Sequence, residues 1–363
     1  MHEADFERGF RNAPRLMALV LAALFIPGPR AQAYPIPPET LWGLTEEAEW
    51  VVWADVEEAW PLPEDERERA QKEDWESGHV ARLRVREAWK GNARQGEQLE
   101  VHWIELACPA PARFEKGLAV VAFLTHRAGK WRAVAKSYGT RYPASNDDLE
   151  AYRRAVTLAR NAHEKWTQER IVGRGGNLEA ARVDWQVRVS AHPATRWDGL
   201  YGLVPEGDSA RAFYDGRVRT PVVLTGAQRE QLARGFVERP PLDRALPMML
   251  KALRGHSDKE VDLMAARALE TALTLDGPPG WVPRAFSLLR ERFGEKLPPR
   301  RAPTQEELMT RMLRDGLSGP SHEELEGFIE EWTRFKQRHQ LTPALLPLPV
   351  EPPVPGTGGD SPL

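Results

Sequence analysis

The chain has 363 residues, 50 of them basic and 53 acidic, for a formal charge of −3, with one cysteine and 13 tryptophans. A charge this close to neutral disfavours nucleic acid as the partner, because that binding is driven by phosphate neutralisation and shows a basic excess. A single thiol cannot close a disulfide within a monomer, so stability has to come from a hydrophobic core, to which the tryptophans bring large apolar area.

Residues 1–33 have the form of an export signal peptide. Arg8, Arg11 and Arg15 precede an apolar run from Leu16 to Ile26, followed by Pro27-Gly28-Pro29 and the small-residue site Ala31-Gln32-Ala33. The run is too short to cross a bilayer, which needs about twenty residues, so cleavage is expected before Tyr34 and no membrane span is expected. Met17 is an alternative start to Met1. No cysteine lies near the cleavage site, so no lipid anchor is expected. The reading is an exported protein, periplasmic or extracellular. The signal takes four basic and three acidic residues with it, leaving the mature chain at −4.

From Tyr34 to Asn146 the pattern is β. After Pro35, Pro37 and Pro38, a first strand is expected over Glu49 to Val56, rich in β-branched and aromatic residues. Pro61 to Gly78 is almost wholly charged and reads as a solvated excursion with room for a short helix. In His79 to Trp89, Ala81, Leu83 and Val85 alternate with Arg82, Arg84 and Arg86, the mark of a half-buried strand, and Lys90-Gly91-Asn92 is a turn. Leu99, Val101 and Trp103 alternate with Gln98, Glu100 and His102 in the strand that follows. A register with Arg84 opposite Glu100 sets Arg86 against Gln98 and Arg82 against His102, with Val85 on Leu99 and Leu83 on Val101 inside. The arginines then read either as cross-strand partners on a wet face or, with His102, as a binding face. Leu118 to Leu124 is apolar throughout, as in a strand central or covered on both faces. Arg127-Ala128-Gly129 turns it into a fifth strand, Lys130 to Ala135. Five antiparallel strands of this length close into a small barrel.

In order, these elements are a tryptophan-valine strand, a long loop, Arg84-Val85-Arg86-Glu87-Ala88-Trp89-Lys90-Gly91, Gly96-Glu97-Gln98-Leu99-Glu100-Val101, a lone Cys108, Phe114-Glu115-Lys116-Gly117 and Val120-Val121-Ala122-Phe123-Leu124. This order resembles a bacterial exported domain similar to the OB-fold amino-terminal domain of tissue inhibitors of metalloproteinases (netrin-like). It covers about the first third of the mature chain. In that family a cysteine at the Cys108 position often pairs with one just after the fifth strand. Here Lys136 to Thr140 has none, and Cys108 reads as a core thiol. The inhibitors chelate the protease zinc through an amino-terminal cysteine, whereas this chain would begin at Tyr34, so that chemistry does not carry over.

The rest, 147–342, reads as helical. Asp147 to Ile171 carries an apolar stripe (Leu149, Tyr152, Val156, Leu158, Ala159, Ala162) and ends at Gly173-Arg174-Gly175-Gly176, a cap and hinge. Leu178 to Ser190 is a second helix. His192 to Gly199 follows as a polar-aromatic turn, with His192, Arg196, Trp197 and Asp198 as a candidate site or a packed interhelical connection. Capping boxes at Thr225, Ser257, Thr304 and Ser321 open helices Gln228 to Val237, Glu260 to Leu275, Glu307 to Arg314 and Glu323 to Gln340. Leu242 to Leu253 and Val282 to Phe293 lie between them. The set suits helical hairpins stacked as in HEAT-like solenoids, or an irregular bundle. Pro343 to Leu363 reads as a disordered proline-rich tail.

The expected fold is therefore α+β in two domains: a five-stranded antiparallel OB-like barrel, then an all-α helical-hairpin array. No HExxH, paired CxxC or GxSxG is present, and His102, Glu105 and Cys108 are the best metal candidates. The expectation is a non-catalytic binding protein with a protein or peptide partner and no cofactor or metal. A protease inhibitor acting without zinc chelation, or an enzyme of another type, is the alternative.

Overall fold

The computed structural model describes residues 39–73, 78–104, 112–173, 176–204, 222–275, 279–295 and 322–348. The expected export signal and cleavage site, Glu105 and Cys108, the expected caps at Thr304 and Ser321, the expected helix Glu307 to Arg314 and residues 349–363 of the expected tail lie outside the described residues.

The first part is a short helix and a closed barrel. Helix α1 (Leu41–Glu47) is followed by β1 (Trp50–Pro61), α2 (Glu64–Glu73), β2 (His79–Lys90), β3 (Gln98–Trp103), β4 (Ala119–Arg127), β5 (Lys130–Ala133) and the two-residue β6 (Thr140–Arg141). The sheet runs β1-β2-β3-β5-β4, closes through β1–β4 pairing, and carries β6 beside β5 on β4. This five-stranded barrel is consistent with an OB-like fold. It is mixed and not antiparallel throughout, because β3 and β5 pair in parallel at Val101–Trp131 and His102–Arg132. The β4–β5 hairpin has to be antiparallel, and β4 reaches β1 along its other edge; that leaves β5 running with β3. The hairpin itself turns through Ala128 and Gly129, both at positive φ (48° and 74°), the twist a two-residue connection needs.

The β2–β3 register also differs from expectation. Glu100 lies opposite Arg82, Gln98 opposite Arg84 and Leu99 opposite Leu83, a shift of two positions that keeps every side chain on its expected face. The connection sets it: Gly96 N–H donates to the Val85 carbonyl (2.8 Å) and Val85 N–H to the Glu97 carbonyl (2.9 Å), so β2 leaves β3 after Val85 and continues along β1 to Lys90.

Two cores follow from the pleat. Val52, Ala54, Val56, Ala81, Leu83, Val85, Leu99, Val101, Val120, Ala122 and Leu124 fill the barrel. On the other face, Val51, Val121 and Phe123 join a second cluster with α1 and with the helices α3 (Asn146–Ile171) and α4 (Leu178–Val189), through Leu149, Tyr152, Val156 and Trp185. β4 is apolar on both faces because both are covered.

Further helices are α5 (Pro193–Leu203), α6 (Gly226–Glu238), α7 (Ala245–Ala252), α8 (Lys259–Leu273), α9 (Val282–Arg292) and α10 (His322–Arg338), ten among the described residues. Thr225 forms the expected capping box with Gln228. The cap of α8 falls one residue later than expected, on Asp258, whose carboxylate accepts the Glu260 N–H at 2.8 Å; this acceptor displaces the Ser257 hydroxyl. Residues from α5 to α10 share one core, at whose centre Phe286 meets Phe328, Trp332 and Phe335 edge to face at 5.2–5.4 Å. The start of the expected tail is packed: Leu346, like Leu341 just before the tail, lies on this core, and Leu346 N–H donates to Thr271 Oγ1 at 2.8 Å. No helix among the described residues is long and apolar enough to cross a membrane.

Candidate functional site

Alternation on β2 points Arg82, Arg84 and Arg86 outward from the barrel. What each meets is decided by β1, which runs further than expected and carries a bulge. Glu57 is the extra residue between the pairs Val56–Leu83 and Glu58–Arg82, and a bulge re-aims side chains. Glu57 and Glu58 can thus both serve the arginines of β2. Arg82 Nη1 lies 2.8 Å from Glu58, with Glu100 at 3.6 Å from Nη2, and its guanidinium sits over the Trp60 ring at 5.4 Å. Arg84 pairs with Glu57, which also accepts from Gln98 Nε2 at 2.7 Å. Arg86 donates to Asp55 at 2.7 Å and lies 4.6 Å over Trp53.

These side chains are 36–49% exposed, so each pair contributes only about 0–1 kcal/mol. The effect is geometric: each guanidinium is held by a carboxylate, and two of the three also lie on tryptophans. With every arginine matched by a carboxylate, the face is unsuited to a bare anion.

His102, expected on the same face, stands apart from the ladder. Its Cα partner is Val80, and its side chain lines a crevice of about 370 Å³ with Lys130 and with Leu62, Glu66, Arg69 and Ala70 from the α2 segment. The Nδ1 atom is buried without a hydrogen-bond partner among the described residues. Burial, and then the nearby Lys130 charge, push its pKa down against the opposing pull of Glu100, so the ring is neutral at pH 7.

The expected polar-aromatic turn at His192 is a helix start. Proline is favoured at the first helical position, and His192 Nδ1 accepts the Ala194 N–H at 3.2 Å as N-cap of α5. The four candidates diverge from there. His192 Nε2 reaches Asp147 Oδ2 at 3.0 Å, which also takes Arg239 Nη1 at 2.7 Å; hydrogen bonds from His192 and then Arg239 hold the Asp147 carboxyl down at about 2. Arg196 is buried and donates to the carbonyls of Ser190 (3.2 Å) and Arg239; burial lowers its pKa to about 10. Trp197 lies against Tyr201 at 5.1 Å. Asp198 is 3% exposed and turns toward α1, accepting the Leu41 N–H at 2.8 Å. Burial raises its pKa, against the pull of Arg141 at 3.6 Å. His192 and Arg196 both lead to Arg239, one through Asp147 and one through the Arg239 carbonyl, Asp198 turns to α1, and Trp197 packs on Tyr201 within α5.

Sequence reasoning passed over Trp53, Trp60, Asp55, Glu57 and Glu58. Their signal is acid and tryptophan recurring along β1 from Trp53 to Trp60, the complement of the arginine run on β2. Among the described residues no group of three His, Cys, Asp or Glu side chains is placed to hold a metal. In comparisons with known proteins, no family model, no curated protein and no solved structure matches the chain.

Proposed function

We propose that this is an exported, non-catalytic binding protein that takes a protein partner on the outer face of β1, β2 and β3. The observation that carries this reading is the pair of stacked assemblies, Arg86 on Trp53 and Arg82 on Trp60. Arginine and tryptophan are the residues that most often dominate protein interfaces, and side chains already held in place lose less entropy on binding. The balance of Arg82, Arg84 and Arg86 against Asp55, Glu57, Glu58 and Glu100 suits a partner face of mixed charge. The resemblance to the inhibitors of metalloproteinases supports the same class of function, recognition through a barrel surface, and the helices beyond it are read as a HEAT-like array giving a second surface.

Crosslinking and pull-down with the full chain from envelope and medium fractions test the reading. A partner captured by the parent chain and lost with Arg86→Ala or Trp53→Ala is the expected result. Capture that neither variant weakens, or turnover of any substrate in a hydrolase panel, would overturn it.

A further inference from the structure

At the end of the β2–β3 pair remote from α2, residues 91–97 and the start of β1 form an open surface depression of about 620 Å³ lined by Trp50, Asn92, Arg94, Gln95 and Glu97. That volume lies in the range of small-molecule sites, about 300–1,000 Å³. Its apolar wall is fixed. The Trp50 ring lies 4.3 Å from that of Trp131, and the turn closes on it at Gly91, whose φ is +90° and where any Cβ would fall 2.3 Å from the indole. Glycine there lets the backbone hold the ring in place.

The polar wall is uncommitted. The arginines of β2 are all matched to carboxylates, but the side chains of Asn92, Arg94 and Gln95 make no hydrogen bond or ion pair among the described residues. Glu97 spends one oxygen on the Arg94 backbone N–H at 2.8 Å. The chemistry of the set narrows the ligand. Arg94 and Glu97 cancel in charge, which disfavours a phosphate or an ammonium. Amides offer a donor and an acceptor side by side, a guanidinium offers donors and a carboxylate acceptors: the complement of hydroxyls that both give and take. An indole, with its negative face, attracts the polarised C–H groups of a sugar ring.

We propose that this depression binds a neutral pyranose unit of an oligosaccharide, with Trp50 against the ring and Asn92, Arg94, Gln95 and Glu97 on its hydroxyls. The site is separate from the Arg82–Arg86 face, so either can fail without the other.

Isothermal titration of the full chain with maltohexaose, cellohexaose, chitohexaose and, separately, inorganic phosphate tests it. At least one hexasaccharide should bind with a Kd of about 1 mM or tighter and shift the Trp50 indole N–H resonance, identified by its loss in Trp50→Phe. Arg94→Ala and Gln95→Ala should each weaken that binding about tenfold and leave the melting temperature unchanged, since neither side chain has a partner to lose among the described residues. Absence of hexasaccharide binding, binding that neither variant weakens or that leaves Trp50 unshifted, or binding of phosphate alone would overturn the proposal.

Discussion

Asp198 and Leu41, 157 residues apart, meet at 2.8 Å: the buried carboxylate in α5 accepts the first helical N–H of α1. Thr40, the N-cap of that helix, gives no side-chain cap of its own, so the capping group comes from elsewhere in the fold. Asp198→Ala leaves the amide unpaired in a buried place and should cost about 1–3 kcal/mol. Asp198→Asn keeps an acceptor and removes the charge. Because burial raises the folded pKa of Asp198, folding disfavours its ionised form, a cost absent below the unfolded pKa of about 4 and complete above the folded one. The stability of Asp198→Asn relative to the parent should therefore increase as pH rises through that window. Urea unfolding at about pH 3.5 and pH 7 checks this, and an equal difference at the two pH values would refute it.

Asp147 has the opposite sign. Its carboxyl is held at about 2 against an ordinary 3.8, so its contribution is fully present above pH 3.8 and is lost as pH falls towards 2. Asp147→Asn should lower the melting temperature at neutral pH and flatten its dependence on pH between 3.8 and 2. A melting series across that range decides it; parallel curves for parent and variant would count against the His192–Asp147–Arg239 link.

The arginine ladder and the core should separate cleanly in denaturant. Arg82→Ala, Arg84→Ala and Arg86→Ala are each expected to change the unfolding free energy by less than about 1 kcal/mol, as for exposed pairs. Phe123, fully buried between the barrel and α3, should cost about 3–5 kcal/mol on conversion to alanine. If an arginine variant costs as much as Phe123→Ala, the ladder is a structural element and its reading as a binding face loses support.

Truncation after Gln340 removes Leu341 and Leu346 from the helical core, together with the hydrogen bond to Thr271. The expected loss is about 2 kcal/mol, since both leucines are only partly buried. An unchanged melting temperature would show that the segment does not pack in solution.

The chain cleaved before Tyr34, as proposed, should be a poor inhibitor of zinc proteases. Such cleavage would leave a terminus reading Tyr34-Pro35-Ile36-Pro37-Pro38, with no cysteine to anchor an amine at the metal. Submicromolar inhibition that disappears on deletion of Tyr34 to Pro38 would contradict this.

Much of the barrel was legible in the sequence because side-chain alternation has period two. That period puts Arg82, Arg84 and Arg86 outside and Leu83 and Val85 inside, and a strand apolar at every position, as in β4, has to be covered twice. The same period is blind to a shift of two residues, which moves no side chain to the other face; the pairing of Arg82 rather than Arg84 with Glu100 was left to the connection through Gly96. Local capping chemistry located α6 at Thr225 within two residues, since the box satisfies its own amides. Helix α1 carried no such signal. Seven residues are too few to hold a helix in water, and α1 persists because Asp198 caps one end while Lys90 Nζ donates to the Thr45 and Ala48 carbonyls at the other, at 2.7 and 2.5 Å. The parallel β3–β5 contact and the bulge that brings both Glu57 and Glu58 to the arginines likewise depend on groups far apart in the chain. Residue order within one segment determined which side chains face the core; only the closed fold decided which of them meet.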